Sequence, residues 1–155
     1  MTLTKKEQSF LKDLQHEEKL CVEKYHKAAE AACDPKLQQI FNKLEQAEQN
    51  HYDTVTQMLN GTVPQMQSQS KGQNQKAKQQ PEDLKSAANR ADKKSDAYLL
   101  SDLLATEKFV SGVYNTAVFE FNDPAARQTL AAIQQQEQQH GKEIADYMSA
   151  NNMYC

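Results

Sequence analysis

The sequence predicts an all-α protein, a four-helix bundle of two repeated helical hairpins joined by a long crossover linker. Gly and Pro number only 4 each among 155 residues, a composition that favours helix. Apolar residues recur at spacings of three and four in four long stretches, as they do in amphipathic helices. The second half of the chain also repeats the first in register, so that Glu18 corresponds to Glu107 and Asp34 to Asp123.

The four apolar stretches predict four helices in two hairpins. The helices are expected at about residues 4–32, 35–59, 95–121 and 124–150. Asp34-Pro35 separates the first two helices, and Asp123-Pro124 separates the last two. In each pair the Asp can cap the following helix and the Pro suits its first position. Each hairpin therefore has a sharp turn at its centre.

The hairpins are separated by a polar connection at about residues 61–93. Residues 61–80 are rich in Gln, Ser, Lys and Gly and are expected to be extended and mobile. Residues 81–91 could add a short surface helix. A connection of this length can run along a whole bundle, which would make the third helix parallel to the second. We expect one domain over 1–155, with hairpins at about 4–60 and 94–150.

The repeat carries a constellation of two glutamates and one histidine in each half. Its members are Glu18, Glu48 and His51 in the first half, and Glu107, Glu137 and His140 in the second. All six occupy positions that the helical periodicity assigns to the core. The two glutamates of a hairpin lie at similar distances from its turn, roughly 20 Å along each helix. A two-fold arrangement of the hairpins would therefore bring four carboxylates together.

Four buried carboxylates without counter-charge repel one another and carry a large desolvation cost. Two cations remove that cost, so the pattern predicts a site for two metal ions. Oxygen and nitrogen ligands together suit iron or manganese, with zinc or cobalt as substitutes. We expect bridging ligands at Glu48 and Glu137, terminal ligands at Glu18 and Glu107, and one nitrogen ligand per ion from His51 and His140. The alternative is a vestigial site that holds water or protons.

Other polar residues near the constellation are weaker candidates. Tyr25 and Tyr114 lie two turns from a glutamate of their own helix and could hydrogen-bond to the site, although plain core tyrosines are the commoner case. Glu17 could contribute a supporting hydrogen bond or be a surface charge. The Gln-rich stretch 134–139 is expected to be a solvated face. The sequence assigns no catalytic residue.

Charge and hydropathy exclude some classes of partner. A net charge of −3 gives no reason to expect nucleic acid or a membrane surface as a partner. The apolar runs are too short to span a bilayer. The N-terminus lacks the apolar core of a signal peptide, so synthesis in the cytoplasm is expected.

The cysteines form no metal-binding or disulfide pattern. Cys21, Cys33 and Cys155 are odd in number and have no CxxC spacing. Cys21 falls on an apolar stripe and is expected to pack as a small hydrophobic residue. Cys155 is expected to be exposed and available for intermolecular crosslinking.

These motifs resemble two related groups of proteins. The duplicated Glu…Glu-x-x-His is similar to the ferritin-like superfamily, especially rubrerythrins and related di-iron carboxylate proteins, over the helices but not the linker. Residues 101–154 resemble the spore coat F family. The matching features are Asp102-Leu103-Leu104, the segment around Tyr114, Asp123-Pro124 followed by Arg127, and an ending with Tyr147, Met148 and Tyr154.

The resemblance implies a ferritin-like protein that is made in the mother cell and deposited in the spore coat. Self-association or association with other coat proteins is expected. The chain has no CxxC pair, so the rubredoxin-like electron-delivery domain of full rubrerythrins is absent and their reductase cycle is in doubt.

Three functions stay open at this point. The first is a structural coat component whose metal acts as a stabiliser or peroxide sink. The second is a di-iron or di-manganese oxidoreductase, such as a peroxidase, ferroxidase or catalase-like enzyme, acting on peroxide or oxygen. The third is a metal-free helical interaction module.

Overall fold

The computed structural model describes residues 1–66 and 80–154, and within these residues the chain is helical without a β-strand. The elements in chain order are α1 (Lys5–Ala31), α2 (Pro35–Leu59), a short 3-10 helix (Pro81–Leu84), α3 (Arg90–Glu120) and α4 (Pro124–Ala150). The predicted all-α class and four-helix bundle are confirmed. Among the described residues, no helix is both long and apolar enough to cross a membrane.

Both hairpin turns depend on the Asp-Pro pairs, as predicted. The Asp34 carboxylate accepts a hydrogen bond from the Lys36 backbone N–H at 3.1 Å. The Asp123 carboxylate accepts one from the Ala126 backbone N–H at 2.8 Å. The prolines begin α2 and α4, where a missing N–H costs no helical hydrogen bond.

Helix α3 begins at Arg90 rather than at about residue 95. The Asn89 side chain caps it by accepting a hydrogen bond from the Asp92 backbone N–H at 2.8 Å. The first turns of α3 are mostly polar. Apolar periodicity therefore could not locate this helix start, which depends on the cap.

The hairpins pack side by side, with α1 next to α3 and α2 next to α4. Lys6 near the start of α1 pairs with Glu120 at the end of α3, so these helices are antiparallel. Lys43 in the first half of α2 pairs with Glu143 late in α4, so these two helices are antiparallel as well. It follows that α2 and α3 run parallel, which is the crossover arrangement.

Two contacts with α4 fix the ends of the crossover. The Thr129 hydroxyl near the start of α4 donates to the Pro64 carbonyl at 2.9 Å. At the other end, the Ser86 backbone N–H donates to the Asn151 side-chain oxygen at 2.7 Å. The two ends of the crossover are therefore held at Thr129 and Asn151, roughly 33 Å apart along the helix. The mobile connection predicted at 61–80 falls largely on 67–79, outside the described residues.

The short surface helix considered for 81–91 is present only in part. Pro81–Leu84 forms a single 3-10 turn, residues 85–89 are not helical, and Arg90 already belongs to α3. Leu84 is buried in the apolar core, and the Asn151 side chain donates to its carbonyl at 2.8 Å. Leu84 therefore belongs to the core and anchors the segment to the end of α4.

The apolar core forms two clusters. One cluster lies toward the end of the bundle that holds the N-terminus of α2 and includes Phe41, Leu100 and Ile144. The other lies toward the opposite end and includes Cys21 and Leu130. Along α2 and α4 the polar constellation lies between residues of the two clusters, so it occupies a layer inside the bundle.

The three cysteines have different surroundings. Cys21 is buried as predicted, and burial raises the pKa of its thiol. Cys33 is exposed. The crosslinking role expected for Cys155 concerns a residue outside the described part of the chain.

A carboxylate from each hairpin binds the turn of the other. Asp96 in α3 accepts a hydrogen bond from the Cys33 backbone N–H at 2.8 Å. Glu7 in α1 accepts one from the Asn122 backbone N–H at 3.1 Å. Glu7 corresponds to Asp96 in the repeat, and Cys33 to Asn122. These paired contacts hold the two hairpins in register around the polar layer.

Candidate metal centre

The six residues of the constellation are buried and come from all four helices. Their relative exposures are 0% for Glu18, Glu48, His51 and Glu137, 3% for Glu107 and 7% for His140. Glu18 comes from α1 and Glu107 from α3, while α2 and α4 each supply a Glu-x-x-His pair. The residues that the sequence singled out are therefore together in one layer.

The six side chains form two overlapping clusters, each with potential ligand atoms within 4.8 Å of one another. One cluster is Glu18, Glu48, His51 and Glu137, and the other is Glu48, Glu107, Glu137 and His140. Glu48 and Glu137 belong to both clusters. Each cluster thus offers three carboxylates and one imidazole, with two carboxylates shared.

The Nδ1 atom of His51 faces three carboxylates. It lies 3.0 Å from Glu48 Oε2 and makes a hydrogen bond there. It also lies 2.6 Å from Glu137 Oε1, without hydrogen-bond geometry, and 3.7 Å from Glu18 Oε1. Such a nitrogen surrounded by oxygens marks the place where a cation or a proton must be held.

His140 has equivalent surroundings in the second cluster. Its Nδ1 lies 3.2 Å from Glu48 Oε1, 3.5 Å from Glu107 Oε1 and 3.7 Å from Glu137 Oε2. The two imidazole rings are nearly parallel, with centroids 5.6 Å apart. The sequence repeat is therefore reproduced as local two-fold symmetry.

Several carboxylate oxygens in this layer have no hydrogen-bond partner among the described residues. They are Glu18 Oε2, Glu107 Oε2 and both oxygens of Glu137. An ionised carboxylate without a partner is costly in a protein interior. Because carboxylate and imidazole are ordinary donors to divalent metals, this set of atoms fits two cations.

The protonation of the cluster reflects burial and mutual repulsion. Burial raises the pKa of Glu18 well above its ordinary value, and the charges of Glu48 and Glu137 add to that. Burial also raises the pKa of Glu107. Burial acts in the same direction on Glu48, but hydrogen bonds from His140 and His51 hold the pKa of its carboxyl below the ordinary value.

The histidines are pushed strongly toward the charged form. Burial alone would lower their pKa values, but hydrogen bonding to buried carboxylates outweighs it. The pKa of His51 rises well above its ordinary value, and that of His140 rises to about 12. Without another cation, the cluster therefore holds protons on its imidazoles. A metal ion would displace them.

Tyr25 and Tyr114 both contact the cluster directly. The Tyr25 hydroxyl donates to Glu107 Oε1, and the Tyr114 hydroxyl donates to Glu18 Oε1. Each tyrosine thus binds the glutamate of the opposite hairpin. Burial raises both phenol pKa values well above the ordinary value, so the hydroxyls stay protonated donors. Both tyrosines therefore hydrogen-bond to the site and are more than plain core residues.

Glu17 is not brought to the constellation by any hydrogen bond between described residues. It is half-buried on α1, and its Oε2 has no partner in that part of the chain. Burial and the nearby charge of Asp13 raise the pKa of its carboxyl. The structure therefore does not supply the supporting hydrogen bond considered for it.

Gln136 is a functional candidate that the sequence did not reveal. The His51 Nε2–H donates to Gln136 Oε1 at 2.7 Å. This contact leaves Nδ1 to face the carboxylates, an arrangement typical of metal-binding histidines. The prediction that 134–139 is only a solvated face was wrong at this half-buried position. Ala47 occupies the equivalent position in the first half. The sequence repeat therefore could not identify Gln136 as part of the site.

The comparisons with known proteins give one match. Residues 95–154 match the family model for the Coat F domain, which covers α3 from residue 95, α4 and the C-terminal segment up to Tyr154. The match includes Glu107, Glu137 and His140 but not the first hairpin. No curated protein and no solved structure matches the chain. The predicted resemblance to the spore coat F family is thus confirmed for the second hairpin.

Proposed function

We propose that this protein is a spore coat component whose helical bundle holds two metal ions between its hairpins. One observation carries the metal proposal: two buried clusters of three carboxylates and one imidazole share Glu48 and Glu137. Each hairpin supplies only part of each cluster, so the ions would link the two hairpins. The bundle as one ferritin-like domain over 1–155 is part of the same proposal.

The ligands divide into shared and separate sets. Glu48 and Glu137 would bridge the ions, since both clusters contain them. One ion would also be bound by Glu18 and His51, and the other by Glu107 and His140. Four carboxylates balance the charge of two divalent cations, and this donor set suits iron or manganese, with zinc as a substitute. Iron or manganese would supply two redox-active centres side by side.

The chain's own residues would control the protons of this site. The tyrosine hydroxyls hydrogen-bond to Glu107 and Glu18 and would orient these carboxylates toward the ions. Gln136 would fix the ring orientation of His51. The surrounding apolar clusters would keep bulk water away from the charged layer.

The coat assignment is supported by the Coat F match over residues 95–154. Coat deposition implies synthesis in the mother cell and association with other coat proteins or with further copies of this chain. Helix α3 carries aromatic residues that suit such contacts. Tyr98, Phe109 and Phe119 are 75%, 65% and 75% exposed.

A second candidate function is a di-iron or di-manganese oxidoreductase that acts on peroxide or oxygen. The donor set favours it, because a purely structural ion needs neither a second ion beside it nor six inward-facing ligands. Under this alternative, iron or manganese held by these residues would supply redox chemistry between the +2 and +3 states, with peroxide or oxygen as the oxidant. In the coat component, the same metals would stabilise the bundle or remove peroxide.

Metal analysis tests the proposal first. The untagged protein would be expressed with iron and manganese supplied, and its metal content measured by plasma mass spectrometry. About two ions per chain are expected for the paired clusters. Absence of metal, both after isolation and after reconstitution, would contradict the metal site and favour a metal-free interaction module.

Assays on the loaded protein then separate the two candidate functions. Turnover of peroxide or oxidation of Fe(II) would favour the oxidoreductase. Metal that raises the unfolding temperature without turnover would favour the structural coat component. A matched Glu137→Ala protein, in which a shared ligand is removed, serves as the control for both measurements.

A further inference from the structure

The groove between α3 and α4 contains a pocket of about 310 Å³ that reaches the candidate metal centre. Glu107 and Glu137 are among the residues that line it, although the unpaired oxygens of their carboxylates are buried. Ser111 on α3 and Gly141 on α4 line its walls, and Tyr154 from the C-terminal segment contributes a further wall. The pocket thus extends from the surface to two residues of the second cluster.

The C-terminal segment is held against this groove. Asn152 adopts a left-handed conformation, with φ of 55°, and the Met153 backbone N–H donates to the Met148 carbonyl at 2.8 Å. This reversal terminates α4. The Tyr154 ring then lies with its centroid 6.0 Å from Lys108 Nζ on α3. The aromatic ring therefore lines the pocket on the side of α3.

The repeat places larger side chains at the equivalent positions of the first hairpin. Tyr52 corresponds to Gly141, and Val22 corresponds to Ser111. Tyr52 is half-buried. In the same groove the Gln15 side chain donates to the Thr56 hydroxyl at 2.8 Å and joins α1 to α2. The equivalent groove of the first hairpin therefore carries bulkier side chains and a hydrogen bond between its helices, where the second hairpin has a serine and a glycine.

The exposure of the ligands follows this difference. Glu18 and His51 in the first cluster are both 0% exposed, whereas Glu107 is 3% and His140 7% exposed in the second. Small as these fractions are, they fall on the two ligands that the second cluster does not share. The two ligands specific to the second cluster therefore lie nearer to the protein surface than their counterparts in the first.

The rim of the pocket is cationic. Lys108 and Lys142 both line it, although Lys142 also pairs with Asp146 at 2.9 Å. In the first hairpin the equivalent positions hold Lys19 and Asp53, whose charges oppose each other. The positive charges of these two lysines at the pocket rim would attract small anions.

We propose that the α3–α4 pocket binds a small anion at the ion held by Glu107 and His140. The ion held by Glu18 and His51 stays closed to it. This inference rests on the proposed function, because a metal ion is the anion's main partner. The centre would then have one reactive ion and one enclosed ion.

Cobalt(II) and azide provide a direct test. The wild-type protein would be loaded with cobalt(II), its cobalt content measured, and azide titrated while the visible absorption of the metal is recorded. One azide per chain is expected. In Gly141→Tyr, which places the equivalent of Tyr52 in the pocket, azide affinity should fall by about tenfold or more, because the ligand loses its cavity. Both cobalt ions should remain.

Two further variants make the result specific. Gly112→Tyr is the matched control, because it adds the same side chain to a helical glycine whose Cβ would meet nothing within 4 Å; its azide affinity should equal that of wild type. Ser111→Leu narrows the pocket from the α3 side and should weaken azide binding as well. It provides the test if Gly141→Tyr fails to fold.

The outcomes separate the two proposals. If wild type binds two cobalt ions but azide affinity is unchanged in both pocket variants, the pocket proposal is overturned and the metal centre stays intact. Binding of two azides per chain by wild type would have the same consequence. No cobalt uptake by wild type would overturn the metal centre and the pocket with it.

Discussion

In the first hairpin His51 is fully enclosed and its Nε2–H donates to Gln136, whereas in the second hairpin His140 remains 7% exposed. Ala47 stands where a counterpart of Gln136 would be, so no such partner comes from that position. The α3–α4 groove beside the cluster of His140 contains a pocket at Gly141. In the α1–α2 groove beside His51, the equivalent position is Tyr52. The repeated residues thus determine which ligands meet, and the residues that differ determine how close each set of ligands lies to the surface.

The largest effect is expected from ligands that both clusters share. Glu137→Gln should weaken the binding of both metal ions, because Glu137 belongs to both clusters. Glu18→Gln and Glu107→Gln should each remove one ion and leave the other, because each residue belongs to a single cluster. Plasma mass spectrometry of the three proteins, loaded side by side, measures this. Equal loss of both ions from Glu18→Gln would contradict the division into two clusters.

The next effect concerns the support of His51. Gln136→Ala should lower the affinity for the ion at Glu18 and His51 by about 10- to 100-fold, as loss of a hydrogen bond to a metal-binding histidine usually does. Competition with a chelator of known affinity measures it. Gln135→Ala, a neighbouring exposed glutamine, is the control and should have no effect. An equally small change in both variants would show that Gln136 is not a support for His51.

The metal-free protein should lose stability as pH rises above about 6.5. The pKa of His140 rises from 6.5 to about 12 in the fold, and that of His51 also rises. A histidine whose pKa is higher in the folded state than in the unfolded state stabilises the fold fully at pH values below its unfolded pKa. That stabilisation is lost as the pH rises toward the folded pKa. The free energy of unfolding then falls by at most about 1.4 kcal/mol per pH unit for each histidine.

Urea unfolding between pH 6.5 and 9 measures this loss. The raised pKa values of Glu18 and Glu107 act in the same direction but at lower pH, starting from an unfolded value of 4.5. Metal-loaded protein should lack the alkaline loss, because the ions replace the imidazole protons. Constant stability of the metal-free protein over this range would contradict the charged state assigned to the histidines.

The smallest effect concerns the pocket glycine. Gly141→Ala should stabilise the protein by about 0.5–1 kcal/mol, since Ala is the better helix former. The added Cβ would lie 3.7 Å from Leu104 Cδ1, an ordinary contact. Gly112→Ala, with open space around its Cβ, should give a similar gain. Thermal unfolding of both variants measures it, and a clear destabilisation by Gly141→Ala alone would show that the pocket wall is tighter than described.

The sequence predicted the fold well where its signals are local. The Asp34-Pro35 and Asp123-Pro124 pairs located both turns because capping and the proline ring act within one helical turn. The start of α3 was predicted too late, since the polar first turns carry no apolar stripe and only the Asn89 cap marks it. The role of Leu84 was missed because a buried leucine in a short polar segment has no periodicity.

The candidate ligands were predictable because the repeat and the core stripes coincide at the same six positions. The residues that differ between the hairpins were not predictable in this way. Gln136 acts on a histidine of another helix, so only the packing of α4 against α2 reveals it. The pocket beside Gly141 results from the absence of a side chain at that position. The difference between the hairpins becomes clear only by comparison with the equivalent Tyr52.

Anomalous diffraction from crystals of the manganese-loaded protein tests the central claim most directly. Two peaks are predicted in the polar layer, one among Glu18, Glu48, His51 and Glu137 and one among Glu48, Glu107, Glu137 and His140. Both peaks should share the carboxylates of Glu48 and Glu137. A map with no peak in this layer, or with a single peak, would contradict the two-metal centre.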